Sequence, residues 1–150
     1  MRNENPTLLR RALIGNGLFS ITSGLIAVVL AAQVADLIGV NQIVMLAVGI
    51  GVVGFGIAIL ISARRHPIDL VEARLTVVAD VSWVVAAAVI IVIPGLLTTE
   101  GNLLLGAISV VVGLFAILQT VGIRHADDVQ PRRLLTAVEI DVSPEEFGRL

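Results

Sequence analysis

One acidic residue, Asp80, interrupts a long apolar stretch and is the side chain best placed to do chemistry in this sequence. An ionisable group inside a membrane span costs at least about 2.5–3.5 kcal/mol near the bilayer centre and by default marks a functional site. Asp80 follows Arg74 by six residues, about 9 Å along a helix, so we expect it in the cytoplasmic leaflet. It either binds a proton or cation, or it is a structural carboxylate that hydrogen-bonds to another helix or pairs with Arg74, Arg11 or Arg124.

Two amide side chains, Asn16 and Gln119, are expected at the same depth as Asp80. Asn16 follows Arg11 by five residues and Gln119 precedes Arg124 by five, which places each about 7–8 Å from its arginine. Three polar side chains from three spans therefore share one layer. If they face inward, they form either a hydrogen-bonded clamp, with bonds of about 1 kcal/mol each, or a small polar pocket open to the cytoplasm.

The tryptophan Trp83 follows Asp80 by one helical turn and lies on the same helix face. It is too deep for the aromatic belt at the membrane surface, and its indole N–H needs a partner when buried. We expect it either to pack inside the bundle or to line a ligand pocket beside Asp80. The candidate ligand-binding residues are thus Asp80, Trp83, Asn16 and Gln119.

Other kinds of chemistry find no support in the sequence. His66 and His125 could ligate haem or a metal, but both follow arginines at the expected water interface without a carboxylate cluster, so we interpret them as surface residues. The absence of cysteine excludes thiolate ligands and thiol nucleophiles. Without a nucleophile–base pair, paired carboxylates or a phosphate loop, we expect no enzyme, no cofactor and no metal. The formal net charge of −2 gives no reason to expect a nucleic-acid partner.

The distribution of apolar residues predicts a membrane protein. Hydrophobic residues make up 57% of the chain, above the roughly 45–50% typical of soluble domains. A spanning helix needs about 20 mostly apolar residues, and four segments qualify: about 12–33, 43–62, 75–97 and 102–122. We expect an all-α fold in which residues 1–125 form four transmembrane helices in an antiparallel bundle and residues 126–150 form a cytoplasmic tail.

The arginines predict the orientation of these spans. They precede the first span, lie between the second and third and follow the fourth, whereas the other two connections contain none. By the positive-inside rule both termini and the middle loop are cytoplasmic, in a multi-pass protein of the inner (plasma) membrane. The first apolar run is too long for the 7–15-residue core of a signal peptide, so we expect it to be retained as a span.

The tail carries two local signals of its own. Apolar and acidic residues alternate from Val138 to Val142, a period of two that predicts a short strand. Ser143 and Pro144, followed by Glu145 and Glu146, are typical of a helix start and predict a final helical turn through Phe147.

Small residues recur at helical spacing in the spans and predict close helix packing. The packing residues that we expect are Ser20 in the first span, Gly51, Gly54 and Ala58 in the second, and Gly113 and Ala116 in the fourth. The segment 54–60 before Arg64 also resembles the segment 112–118 before Arg124. This similarity arises either from a duplicated helical hairpin or from chance between two apolar helices.

Three short motifs carry a resemblance to other proteins: Asn16-x-x-Phe19-Ser20, Asp80-x-x-Trp83-Val84 and Gln119-x-x-Gly122-Ile123-Arg124. Across most of residues 12–125 the chain resembles uncharacterised small four-span bacterial membrane proteins, and the resemblance implies the four-span fold without an activity. The small multidrug resistance transporters also have four spans, but they rely on a first-span glutamate where this chain has Asn16 and no acid.

The sequence therefore favours a non-enzymatic integral membrane protein that serves as a structural or accessory subunit. Its expected partners are the lipid bilayer and either copies of itself in a homo-oligomer or a larger membrane complex. The alternatives are a small transporter or channel that uses Asp80 for a proton or cation, and a binder of lipid or quinone near Trp83.

Overall fold

A computed structural model of the 150-residue chain describes residues 7–141, and the side chains of residues 8–126. The described chain is all-α, as expected. Its five helices are α1 (Thr7–Val29), α2 (Ala31–Ile38), α3 (Gln42–Arg64), α4 (Leu70–Val92) and α5 (Thr99–Asp141).

Four of these helices contain segments that are long and apolar enough to cross a membrane, which indicates a multi-pass membrane protein. The segments are Leu8–Val29, Gln42–Arg64, Leu70–Val92 and Thr99–Ala126. The prediction of four helices that are long and apolar enough to span is confirmed, although some of their bounds differ from those expected.

The first span ends earlier than expected because the helix breaks at Leu30. Its φ of −105° and ψ of 31° separate α1 from the short helix α2. The break allows Ala31 and Ala35 of α2 to pack against Met45 at the start of α3. Gly39 then ends α2 in the left-handed region, at a φ of 86°, where a residue without a Cβ is favoured.

The third span is displaced toward the N-terminus, and two residues explain this. The carboxylate of Asp69 accepts hydrogen bonds from the backbone N–H groups of Val71 and Glu72, which caps α4 and starts it at Leu70 rather than near residue 75. At the other end, Ile93 is extended because a residue that precedes proline is kept out of the helical region, and Pro94 follows it. The span therefore ends at Val92 instead of residue 97.

The strand predicted for Val138–Val142 is wrong, because the backbone of α5 is helical through Asp141. Five alternating residues are a weak signal, and the preceding segment contains Leu134, Leu135 and Ala137, which favour helix continuation. The helical turn predicted from Ser143 to Phe147 lies outside the described residues.

Glycines bring α1 and α3 into backbone contact. A methyl group on Gly56 would lie 2.8 Å from the carbonyl oxygen of Gly17, and one on Gly24 would lie 2.9 Å from the carbonyl oxygen of Gly49. Both distances are too short for a side chain, so only glycine permits this approach. Later residues of α1 contact earlier residues of α3: Gly17 lies against Gly56, and Gly24 lies against Gly49.

The other helices assemble around this pair. Gly122 of α5 lies against the backbone of Leu9 in α1, where a methyl group would come within 2.8 Å of the Leu9 Cα. At the opposite end, Thr98, just before α5, donates its backbone N–H to the carbonyl oxygen of Ile38, 3.0 Å away. Helices α4 and α5 pack along their length, whereas α3 and α4 touch little. A gap therefore remains between α3 and α4 on the outside of the molecule.

Candidate functional site

Three helices bring Asn16, Asp80 and Gln119 together at one point in the interior. The Nδ2 of Asn16, from α1, donates a hydrogen bond of 2.7 Å to Oδ2 of Asp80 on α4. The Nε2 of Gln119, from α5, donates to the same oxygen over 3.4 Å. The three side chains, which the arginine spacing placed at the same depth, are therefore in contact. We name these three residues the carboxylate layer.

The carboxylate layer is closed off from its surroundings. Asn16, Asp80 and Gln119 are 1%, 2% and 0% exposed. Toward the arginine-bearing end lies an apolar cluster that draws on all four long helices and on the segment before α4: Leu9, Leu13, Ile59, Ala63, Ile68, Ala73 and Ile123. A pocket that opens to the cytoplasm, one of the two arrangements considered, would have to pass through this cluster.

An aromatic pair covers the other side of the layer. The rings of Phe19 in α1 and Phe115 in α5 lie with their centroids 6.1 Å apart and their planes tilted by 47°. Phe19 is one turn beyond Asn16, and Phe115 is one turn beyond Gln119 in the same direction. The hydrogen bonds of the layer therefore form in apolar surroundings, where they are electrostatically stronger than in water.

The chemistry of the layer follows from its donors and acceptors. An ionised carboxylate can only accept hydrogen bonds, and both amides present N–H groups to it. Burying such a group is costly unless it is hydrogen-bonded, so the two amides offset part of the desolvation of Asp80. This arrangement ties α1, α4 and α5 together and is the clamp that was one of the two alternatives for these residues.

Two buried polar atoms on residues of the candidate site lack partners among the described residues. They are Oε1 of Gln119, on the amide that contacts Asp80, and Nε1 of Trp83, one turn along α4. The Trp83 side chain is half-buried. Because unpaired buried polar atoms are rare and costly, an unpaired acceptor and an unpaired donor near a carboxylate are features that a purely structural clamp leaves unexplained.

The remaining residues singled out in the sequence lie elsewhere. His66 is exposed and lies with both ring nitrogens within 3.0 Å of the Arg10 guanidinium, and Nδ1 of the exposed His125 is 2.8 Å from the carbonyl oxygen of Val121. Of the expected packing residues, Ser20 and Ala116 are buried and Gly113 is half-buried, whereas Gly51, Gly54 and Ala58 face outward.

One residue that the sequence reasoning missed is Ser62 of α3. It is 5% exposed, and its hydroxyl has no hydrogen-bond partner among the described residues. A serine three positions before Arg65, in an otherwise apolar span, was the available signal. Its lack of a partner could not be read from sequence because serine in a helix usually bonds to its own backbone.

No protein-family model, curated protein or solved structure matches this chain. Its site is therefore interpreted from its own geometry. Within the described residues, no three His, Cys, Asp or Glu side chains lie together as a metal site would require.

We predict that Asn16 and Asp80 are energetically coupled. In a double-mutant cycle of Asn16→Ala and Asp80→Ala, the free energy of unfolding in mild detergent should show a coupling of about 1 kcal/mol, because each single variant already breaks the 2.7 Å bond. Ser23→Ala combined with Asp80→Ala is the control, since Ser23 bonds to the carbonyl oxygen of Phe19 in its own helix. A coupling no larger than that of the control would contradict the clamp.

Proposed function

We propose that this protein is a non-enzymatic integral membrane protein of the inner membrane that serves as a small structural or accessory subunit. Its four spans form an antiparallel bundle held by the carboxylate layer, and it assembles into a homo-oligomer or a larger membrane complex. The observation that carries the proposal is the use of glycine in the spans, because glycines on α3 are used in two distinct ways.

Glycines on the inner side of α3 mark places where two helices meet at backbone distance. Gly49 and Gly56 belong to this group, and each lies where a methyl group would come within about 3.1 Å of backbone on α1. Glycine lowers helix stability by about 1 kcal/mol relative to alanine in water, so its use inside a helix needs a compensating gain. In these positions the gain is close packing.

Gly51 and Gly54 lie on the same helix but have no such contact. A methyl group on either would meet no other described atom within 4 Å, and both positions are exposed, as is Ala47 one turn before Gly51. We name Ala47, Gly51 and Gly54 the outer seam. A flat seam of small residues on a membrane helix suits the close approach of another helix, and we assign that helix to a second copy or a larger subunit.

The proposed antiparallel arrangement has support from the contacts between α1 and α3, which run in opposite order along the two helices. We also propose a duplicated hairpin, on the similarity of residues 54–60 to residues 112–118.

A second function, a small transporter or channel, is favoured by the unpaired atoms beside Asp80. A proton on Asp80 would convert the carboxyl into a donor, and rotation of the Gln119 amide would then allow its unpaired Oε1 to accept that hydrogen bond. In this mechanism Asn16 holds the carboxyl group in place, Gln119 responds to its protonation, and Trp83 supplies a free donor.

We also propose that the arginine-bearing end of the helices faces the cytoplasm. Arg10 and Arg11 begin α1, Arg64 ends α3, Arg74 lies in the first turns of α4 and Arg124 follows the layer on α5. The described segments 39–41 and 93–98, at the other ends of the spans, contain no arginine. By the positive-inside rule this distribution places both termini in the cytoplasm.

We predict that bulk on the outer seam dissociates the assembly. Gly51→Leu combined with Gly54→Leu should reduce the oligomer number or release a larger partner in native mass spectrometry, because the added side chains hold the second helix away. The fold of the monomer should survive, since nothing described lies within 4 Å of either position. Ala86→Leu, on the exposed face of α4, is the matched control. If the double variant assembles as the parent does, the seam is not an interface.

We predict that Asp80→Asn separates the two functions. In vesicles that contain a pH-sensitive dye, the subunit role gives no proton flux for the parent or for the variant, and the oligomer is retained because asparagine still accepts from Asn16. Flux in the parent that is lost in Asp80→Asn would establish the second function. The control is Asp36→Asn, the same change at an exposed position of α2.

We predict the orientation from the arginine distribution. A green fluorescent protein fused to the C-terminus should fluoresce, and alkaline phosphatase fused at the same point should be inactive, because the first requires the cytoplasm and the second requires export. Fusions after Leu97 should behave in the opposite way. Active phosphatase at the C-terminus would reverse the assignment.

A further inference from the structure

The gap between α3 and α4 forms a groove on the outer surface of the described chain. Its volume is about 330 Å³, within the range of small-molecule sites. Phe55, Ala58 and Ile59 line it from α3, and Leu75 and Thr76 line it from α4. The groove exists because the two helices touch little, and its walls are largely apolar.

One polar side chain in the groove has an unmet hydrogen bond. Ser62 lines the groove, is 5% exposed, and its hydroxyl has no partner among the described residues. Four other span hydroxyls donate instead to the backbone carbonyl one turn earlier in their own helices: Ser23, Thr76, Ser109 and Thr120. Ser62 therefore retains an unused donor. Because its Oγ is itself buried, the side chain must rotate about its Cα–Cβ bond to present that donor to the groove.

A pair of opposite charges lies at the cytoplasmic mouth of the groove. Arg65 and Glu72 both line it and form an ion pair, with side chains that are 54% and 35% exposed. The guanidinium of Arg10 donates to the carbonyl oxygen of Arg65 over 3.1 Å and adds positive charge nearby. Arg65 follows Ser62 by three residues, about 4.5 Å along the helix.

The order of chemical groups along the groove matches that of a phospholipid. Charges of both signs come first, then a hydrogen-bond donor about 4.5 Å deeper, and then an apolar trough. A phospholipid presents its headgroup charges, then its ester carbonyl oxygens, which can only accept, and then its acyl chains.

We propose that this groove binds one phospholipid with a zwitterionic ethanolamine headgroup. The phosphate lies against Arg65 and the ammonium against Glu72, so that each charge meets its opposite. After rotation of its side chain, Ser62 donates to an ester carbonyl oxygen, and one acyl chain lies along Phe55, Ala58 and Leu75. The site is separate from the carboxylate layer, and along α3 it begins at Phe55, directly after Gly54 of the outer seam.

The test is native mass spectrometry of delipidated full-length protein titrated with palmitoyl-oleoyl phosphatidylethanolamine. One lipid per chain should bind in preference to phosphatidylglycerol with the same acyl chains. Ser62→Ala should weaken this binding about fivefold, as the loss of one hydrogen bond predicts. The same variant should leave the lipid-free protein at least as stable as the parent, because the unpaired hydroxyl is removed. Ser109→Ala is the control, since Ser109 donates to the carbonyl oxygen of Leu105 and does not line the groove.

Two further variants address the acyl chain and the headgroup. Ala58→Phe should fill the groove and weaken binding more than tenfold, while Ala107→Phe, at an exposed position of α5 outside both the groove and the outer seam, should not. Glu72→Gln should remove the preference for ethanolamine over glycerol headgroups. Equal lipid binding by the parent, Ser62→Ala and Ala58→Phe would overturn the proposal. It would also be overturned if Ala58→Phe changed the oligomer number without changing lipid binding, because a second copy would then occupy the groove.

Discussion

The constraint on which the structure depends is the burial of one carboxylate in apolar surroundings. Water does not reach Asp80 in the interior, so its hydrogen bonds must come from the protein. Asn16 and Gln119 supply them from two other helices, and both donate to one oxygen atom. Donors that converge on a single point fix the rotation and axial position of α1, α4 and α5 together, which apolar packing alone specifies less sharply.

Helix α3 contributes no polar group to that layer and is held by other means. Buried Ile59 precedes Arg64 by five residues, as Gln119 precedes Arg124, so the side chain of α3 at the depth of the layer is apolar. The helix is instead held against α1 by Gly49 and Gly56. The carboxylate layer does not include α3, and the glycine contacts hold α3 against α1 and not against α4. Helices α3 and α4 therefore make few contacts, which leaves the groove beside Ser62.

The sequence was most informative where a polar residue interrupts an apolar run. The four spans follow from hydropathy, and the common depth of Asn16, Asp80 and Gln119 follows from counting residues back to arginines, because helical rise is constant. Depth does not specify rotation, however, so the sequence left open whether these side chains meet. The same limit applies to the glycines, since spacing alone does not distinguish the inward Gly56 from the outward Gly54.

The breaks and ends of the helices were harder to predict from the sequence, for different reasons. The start of α4 depends on the Asp69 cap and its end depends on Pro94. Both residues are visible in the sequence, but span bounds drawn from hydropathy alone do not take them into account. The break at Leu30 has no glycine or proline at that position, and it serves the packing of α2 on Met45. A tertiary contact of this kind has no local signature in sequence.

Unpaired buried polar atoms occur both in the carboxylate layer, at Oε1 of Gln119, and beside the groove, at Oγ of Ser62. Where α1, α4 and α5 meet, the donors of Asn16 and Gln119 are paired with Asp80, and this part of the molecule holds the helices together. The unpaired hydroxyl of Ser62 lies in the groove, where α3 is loosely packed. A lipid in the groove would supply both the apolar contact that α4 does not make with α3 and an acceptor for the unpaired hydroxyl of Ser62. The proposed lipid then completes the packing of α3, the one long helix that contributes no side chain to the carboxylate layer.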